Sequence, residues 1–303
     1  MRFTVFTPTY NRAHTLERLY QSLQEQSFQE FEWIVVDDGS TDNTEALLLD
    51  WAKDNSRKFS IIYKKVKNGG KHRAINYALE IAMGELFFIV DSDDYLLPKS
   101  LEIVDRVEKS IPLNLKKKFA GICGQDIYTN GSLVGSTYIG DQYLDISYLD
   151  SGKYGITGDK KEIFYTDILR QFPFPEFENE KFICEGLVWG RIAKAGYKLR
   201  YFNEPIYIVE YQSTGISNNL DEIQKSSPKG WALTIKEDIE CGKLSKNGRC
   251  NIMVWYYKSF IHTMDFKSIC KNLGITSNQM RYYLIKNNIL RVVKKVYSVF
   301  RNK

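Results

Sequence analysis

Residues 86–94 read Leu86-Phe87-Phe88-Ile89-Val90-Asp91-Ser92-Asp93-Asp94. Five apolar residues in a row have the length of a strand covered on both faces, and three carboxylates follow within four positions. Upstream of this run, Lys71 to Met83 has helical spacing and Phe59 to Lys64 is strand-like. Before those, a helix through Asp54 can be capped by Ser40 or Thr41, and Glu32 to Val36 is strand-like. Ala13 to Gln26 places Leu16, Leu19, Tyr20 and Leu23 at helical spacing, and Phe3 to Thr7 is a short apolar run that meets Pro8. Downstream lies a helix over Lys99 to Lys109. Alternating strands and helices predict an α/β fold with a largely parallel sheet and right-handed crossovers. Ligands of such sheets collect at the carboxyl ends of the strands. Thr7 to Arg12, Asp37 to Ser40 and Asp91 to Asp94 follow the first, second and fourth strands, so three polar clusters converge on one edge.

Past residue 110 the pattern loosens, with strand-like stretches near Ala120 to Ile127 and Leu133 to Tyr138. Helical periodicity returns at Trp231. Composition places a boundary near residues 215–230, which divides a domain of residues 1–219 (halves 1–110 and 111–219) from a helical region of 220–303. The charge is divided too. Residues 243–303 hold 13 Lys plus Arg and one acid, Asp265, a net +12; residues 1–242 hold 29 against 36, a net −7. Five scattered cysteines in 303 residues, without a CxxC pair, indicate neither a disulfide framework nor a zinc site and fit a reducing cytosol. The start lacks the features of a secretory signal, and no run approaches the roughly 18 apolar residues of a membrane span. No GxSxG elbow or GxxxxGK[ST] loop occurs, which weakens serine-hydrolase and P-loop readings.

Three aspartates at the end of a buried strand repel one another unless a cation or a donor compensates. Magnesium or manganese suits such hard oxygen ligands, taking one or two carboxylates and completing its shell with phosphate and water. Aspartates capping the helix after Pro98 would look similar. FTVFTPTYNR, WIVVDDGSTD, NGGKHRAIN and VDSDD, in this order and spacing, resemble the amino-terminal half of family 2 glycosyltransferases over about the first 110 residues. The resemblance implies the GT-A fold, a Rossmann-like mixed sheet that binds a nucleotide sugar, here followed by a C-terminal helical basic appendage. It also implies that Thr7, Pro8 and Tyr10 line the nucleotide pocket and that Asp38 contacts the base or ribose. By the same resemblance Lys71 and Arg73 lie near the nucleotide, Asp91 and Ser92 on the sugar-nucleotide side, and Asp93 at the metal, Mn2+ or Mg2+.

In that family the general base sits on a helix of the second half, after a proline-aromatic stretch. FPFPEFENEKFICEGLVWGRIA occupies that place and makes Glu185 the first choice, with Glu180 and Glu178 next. Gly186 stands where relatives often carry a second acid. The activity that the resemblance implies is a metal-dependent, inverting transfer of sugar from a nucleoside diphosphate, UDP above all, to a glycan or lipid-linked acceptor in bacterial surface-polysaccharide synthesis. The alternatives are a sugar-phosphate nucleotidyltransferase and a non-catalytic glycan-binding or scaffolding subunit. The segment from Ile208 to Asn218, with Gly215 as a hinge, looks like the stretch that folds over the diphosphate. Ile289, Val292, Val293, Val296 and Phe300 form the apolar face of a basic helix suited either to a membrane surface or to docking on protein. A cytoplasmic, peripherally membrane-bound protein is expected, with no nucleic-acid partner and with oligomerisation left open.

Overall fold

The structure, a computed structural model, describes residues 1–54, 57–140, 142–210, 212 and 219–287. The first half runs β1 (Phe3–Thr9), α1 (Ala13–Gln24), β2 (Phe31–Asp37), α2 (Thr44–Lys53), β3 (Ser60–Lys65), α3 (Lys71–Ile81), β4 (Leu86–Ile89), β5 (Tyr95–Leu96) and α4 (Ser100–Lys109). The second half adds β6 (Phe119–Tyr128), β7 (Tyr143–Ile146), β8 (Lys160–Tyr165), α5 (Thr166–Leu169), α6 (Glu185–Lys194) and β9 (Lys198–Val209). The chain then continues through α7 (Leu220–Lys225), α8 (Pro228–Glu240), α9 (Lys246–Phe260) and α10 (Phe266–Leu273).

Among the described residues nine strands make one sheet in the order β3-β2-β1-β4-β8-β6-β9-β5, with β7 paired to β9. β3, β2, β1 and β4 are mutually parallel, whereas β8 is antiparallel to both β4 and β6. Because successive strand residues point to opposite faces, the uninterrupted apolar runs require cover on both sides. α1 and α2 bring Leu16, Leu19, Leu23 and Leu48 against Phe3, Val5 and Trp33 on one face. α3 brings Ala74, Ile75 and Ala78 against Phe6, Ile34 and Val36 on the other. β1 is flanked by β2, to which the chain proceeds directly, and by β4, reached after a reversal of direction across the sheet. That reversal opens a crevice at the carboxyl ends of β1 and β4.

Two local expectations are corrected. Leu133 to Tyr138 is no strand; it makes only isolated bridges, Ile127 with Leu133 and Ser136 with Thr157. Gly131 and Gly135 take left-handed φ values of 82° and 69° on either side of Leu133, which breaks the pleat. Neither Ser40 nor Thr41 caps α2, which starts at Thr44 after Asn43. Ser40 Oγ instead accepts the Asn11 N–H and ties the end of β1 to the turn after β2.

α8, α9 and α10 enclose a core of their own around Tyr256, Phe260, Ile269 and Leu273. They dock on the sheet domain through Leu233 of α8, which packs against the core on the α3 side, and through polar contacts: the Glu180 carboxylate accepts the Lys229 and Gly230 N–H groups that open α8, and Arg191 on α6 pairs with Glu237. No described helix is long and apolar enough to cross a membrane. The apolar face from Ile289 to Phe300 lies outside the described residues.

At the opposite edge of the sheet from the crevice, the buried Arg2 guanidinium donates to Glu85, Asp105 and Glu108, and Glu108 also receives Lys116 and Tyr165. Removing the cation that a buried charge network shares leaves its carboxylates under-compensated, at a cost of about 3 kcal/mol or more. Arg2→Met should therefore lower the stability measured by urea unfolding by that amount with an unchanged slope, and a loss below about 1 kcal/mol would show the network to be dispensable.

Candidate functional site

The crevice is a cavity of about 840 Å3 lined by the loops after β1, β2 and β4, by β8 and by the start of α6. That volume lies within the range of small-molecule sites. On one side are Pro8, Thr9 and Tyr10 at the end of β1, with Tyr10 47% exposed and Thr9 buried. Asp38 follows β2, and its carboxylate accepts the Gly69 and Gly70 N–H groups at 2.6 and 2.8 Å and the Asn68 amide at 3.2 Å. Gly70 is required there: it takes φ 96°, and a Cβ would lie 1.9 Å from the Lys181 carbonyl oxygen. A carboxylate has about four acceptor positions, so Asp38 keeps capacity for a ligand while fixing the turn that starts α3. Burial raises its pKa despite the two glycine donors. The preceding Asp37 is structural, accepting from the Ser40 N–H and the Tyr63 hydroxyl.

The three acids after β4 are held differently from one another. Asp91 Oδ1 is 2.5 Å from Lys71 Nζ and Oδ2 is 3.9 Å from Lys161 Nζ. Burial would raise its pKa, but the two lysines outweigh that and lower it. Asp94 turns away from α4: it accepts the Tyr207 hydroxyl and the Glu210 N–H at 2.8 Å each, and burial together with Asp91 pushes its pKa up to about 7. The aspartates therefore do not cap α4, whose first turn follows Lys99. Asp93 lies 3.9 Å from Arg12 Nη2, and burial, then Asp91, raises its pKa. Ser92 is buried, with its carbonyl accepting the Thr15 hydroxyl.

Across the cavity Glu185 opens α6, where the helix dipole favours an anion. Its Oε1 lies 3.0 Å from Lys71 Nζ. Lys71 thus spans the two halves of the domain; burial opposes its charge, yet Asp91 and Glu185 hold its pKa well above the ordinary lysine range. A Cβ at Gly186 would lie 3.1 Å from the Tyr148 hydroxyl, so Tyr148 borders the place where a second acid's side chain would start.

Pro8, Tyr10, Asp38, Lys71, Asp91, Ser92, Asp93 and Glu185 meet around this cavity. Thr7 and Arg73 do not. Thr7 is fully buried in β1 and accepts the Trp33 indole N–H at 2.9 Å. Arg73 points along the outside of α3, donating to the carbonyls of Gly69, Phe177 and Glu180 and pairing with Glu176. Glu180 is committed to capping α8, and Glu178 is exposed outside the cavity lining. The proposed hinge Gly215 and its neighbours 213–218 lie outside the described residues.

Lys161, Asp126, Glu162 and Tyr201 also line the cavity and carry no sequence signal, since each is one residue of an ordinary strand. Lys161 Nζ stands 3.7 Å from the centre of the Tyr207 ring. Side-chain atoms buried without a hydrogen-bond partner recur along the cavity: Thr9 Oγ1, both ring nitrogens of His72, Asp126 Oδ1 and Tyr201 Oη. Buried polar groups are ordinarily satisfied, so these atoms leave hydrogen-bonding capacity for water or a polar molecule in the cavity.

Residues 4–109 match the family model described as Glycosyl transferase family 2. The poly(ribitol-phosphate) β-N-acetylglucosaminyltransferase TarS of Staphylococcus aureus is 38% identical over 104 residues, 34% of this chain and 18% of TarS. The Escherichia coli UDP-Glc:α-D-GlcNAc-diphosphoundecaprenol β-1,3-glucosyltransferase WfgD is 27% identical over 180 residues, 59% of this chain and 66% of WfgD. The matched segment thus spans less than two thirds of either relative. The crystal structure of S. aureus TarS 1–349 in complex with UDP superposes with a TM-score of 0.60 at 20% identity, covering 98% of this chain and 91% of that one. The fold is the GT-A arrangement expected from the motifs.

His72 supplies a pH test of the cavity wall. Burial, followed by the Arg73 charge, depresses its pKa to about 4 from 6.5. The folded state therefore keeps His72 neutral while the unfolded chain protonates, so this stabilisation is complete above pH 6.5 and lost as pH falls toward 4. His72→Asn should reduce the fall in stability between pH 7 and 4.5 by about 2 kcal/mol, measured by denaturant titration at each pH; parallel profiles would mean the ring is solvated.

Proposed function

We propose that this chain, whose residues 4–109 form a family 2 glycosyl transferase domain, transfers a sugar from a UDP-sugar to a hydroxyl of a glycan or lipid-linked acceptor, with inversion at the anomeric carbon, in the assembly of a bacterial surface polysaccharide. Support comes from one convergence: the ends of β1, β2 and β4 and the start of α6 bring Asp38, Asp91, Asp93 and Glu185 to a single cavity. The nucleoside is assigned to the side of Pro8, Tyr10 and Asp38, where an aromatic ring and a carboxylate suit a base and its N–H or ribose hydroxyl groups. Arg73 then serves the pocket indirectly, through the loop that leads into Glu185, whereas Thr7 belongs to the sheet core beside Trp33.

The residues fit a divalent ion shared with substrate. Among the described residues no cluster of three or more acidic, His or Cys side chains could cage a metal alone, Asp91 is engaged by two lysines, and Asp93 has only Arg12 at 3.9 Å as ion partner. One carboxylate completed by diphosphate oxygens and water is a normal shell for Mg2+ or Mn2+. We assign Asp93 to that role; bound there, the ion supplies Lewis-acid compensation of the charge on the departing diphosphate.

Glu185 takes the proton from the acceptor hydroxyl as the new C–O bond forms and the anomeric bond to the diphosphate breaks on the opposite face. A single base with in-line attack gives inversion, because no covalent enzyme intermediate is needed. Lys71 offsets the charges of Asp91 and Glu185, which would otherwise face each other across the cavity. WfgD acts on a diphosphoundecaprenol acceptor, and the +12 charge of residues 243–303 suits work at an anionic membrane surface. We accordingly place the protein in the cytoplasm, at the membrane face, with residues 1–219 as the catalytic domain and 220–303 as a helical appendage.

Incubation with Mn2+ and a panel of UDP-sugars and acceptors, read as released UDP, tests the assignment. Asp93→Ala should abolish Mn2+-dependent UDP binding. Glu185→Gln should leave UDP binding intact and lower kcat by about 100-fold or more; full turnover by that variant would remove Glu185 as base.

A further inference from the structure

Residues 170–184, between α5 and α6, form neither helix nor strand, yet they carry the chain to Glu185. A catalytic group must be held within about 0.5 Å of its working geometry, so the contacts that fix this segment decide where Glu185 stands. One side is set by α3. Arg73 donates to the carbonyls of Phe177 and Glu180 at 2.6 and 2.8 Å, and the approach of Gly70 to the Lys181 carbonyl oxygen leaves no room for a side chain between them. Asn179 takes a left-handed φ of 63°, which asparagine tolerates better than most residues, and the Glu180 N–H closes the turn on the Phe177 carbonyl.

The other side is set by α8. Pro228 opens that helix and has no N–H, and the Trp231 N–H bonds to the Ser227 carbonyl, so the Lys229 and Gly230 N–H groups are left over in the first turn. The Glu180 carboxylate accepts both, one with each oxygen, at 2.9 and 2.8 Å. Glu180 is 5% exposed, and the positive end of the helix dipole favours its charge there. Gly230 approaches the segment as closely as Gly70 does: a Cβ on it would lie 2.7 Å from Ile183 Cδ1 and 2.8 Å from the Phe182 carbonyl oxygen. The Tyr256 hydroxyl on α9 donates to the Pro228 carbonyl at 2.9 Å and ties the start of α8 to the helical core. Ile223 and Ser226, just before α8, line the cavity themselves.

We propose that Glu180 is a positioning residue: seated on the start of α8, it fixes the segment that sets Glu185 against the cavity, so that the helical region is part of the active site. The inference rests on Glu185 as the base in the transferase reading above. Glu180 does not line the cavity and acts through Glu185 alone.

Two substitutions test it in the full chain, each made with and without Glu185→Gln. Glu180→Gln keeps one acceptor and turns an amide donor against the second N–H, whereas Gly230→Ala pushes the same segment from the α8 side without removing a charge. Thermal melts establish that the variants are folded, calorimetry reads UDP affinity in the presence of Mn2+, and released UDP gives kcat with the UDP-sugar and acceptor selected by the panel above. Each variant should bind UDP as the wild type does and lose about tenfold or more in kcat, since misplacing a reacting group by about 1 Å costs about 100-fold. In the Glu185→Gln background the same substitutions should have little further effect, because residues that act as one unit are not additive. Unchanged kcat in the folded variants, an equal loss of UDP affinity, or the same loss of kcat in both backgrounds would each overturn the positioning role while leaving the transferase assignment standing. Full turnover by Glu185→Gln alone would overturn the base assignment and the positioning role together.

Discussion

The site depends on a single ammonium group. Lys71 Nζ lies 2.5 Å from Asp91 at the end of β4 and 3.0 Å from Glu185 at the start of α6. Two carboxylates from different halves of the domain can face the same cavity only if their repulsion is compensated, and Lys71 supplies that compensation from the first turn of a third element. Its own position is fixed by Gly70, whose left-handed backbone and close approach to Lys181 admit no side chain. Gly70 N–H in turn is held by Asp38. A chain of contacts therefore runs from Asp38 through the glycine turn to Lys71 and on to Glu185.

The cavity has an unequal distribution of charge compensation. Asp91 carries two lysines, Asp94 has a tyrosine hydroxyl and a backbone N–H, and Asp93 has a single arginine at 3.9 Å. Three neighbouring aspartates are thus held in three different ways: the first is bound to protein cations, the third braces β9 against the strand end, and the middle one has, among the described residues, Arg12 alone as an ion partner. Local sequence cannot separate these arrangements, because the partners of each acid come from residues 12, 71, 161, 207 and 210.

The parallel half of the sheet was legible because its apolar runs, loop lengths and polar strand ends repeat one supersecondary unit. Element ends moved by only a few residues, as at Thr44, where three polar residues intervene before the helix can start. The second half was less legible for physical reasons. Glycines break the pleat around Leu133, β8 runs against its neighbours, and the cavity residues of β6, β8 and β9 are single positions within otherwise ordinary strands. Thr7 and Arg73 show the converse limit: a motif marks a neighbourhood, and within it a buried threonine can serve an indole and an arginine can serve three carbonyls.

Those arginine contacts also bear on the role of the C-terminal helices. The loop leading into Glu185 is gripped on one side by Arg73, which binds the carbonyls of Phe177 and Glu180, and on the other by α8, whose first N–H groups are bound to the Glu180 carboxylate. Glu180 is buried, so neither attachment is a solvent-screened surface contact. The segment leading into Glu185 is therefore held from both sides, by α3 through Arg73 and by the start of α8. The loop is clamped at Glu180, five positions before Glu185. Residues beyond 219 thus take part in fixing the loop that leads into α6, through the Lys229 and Gly230 N–H groups.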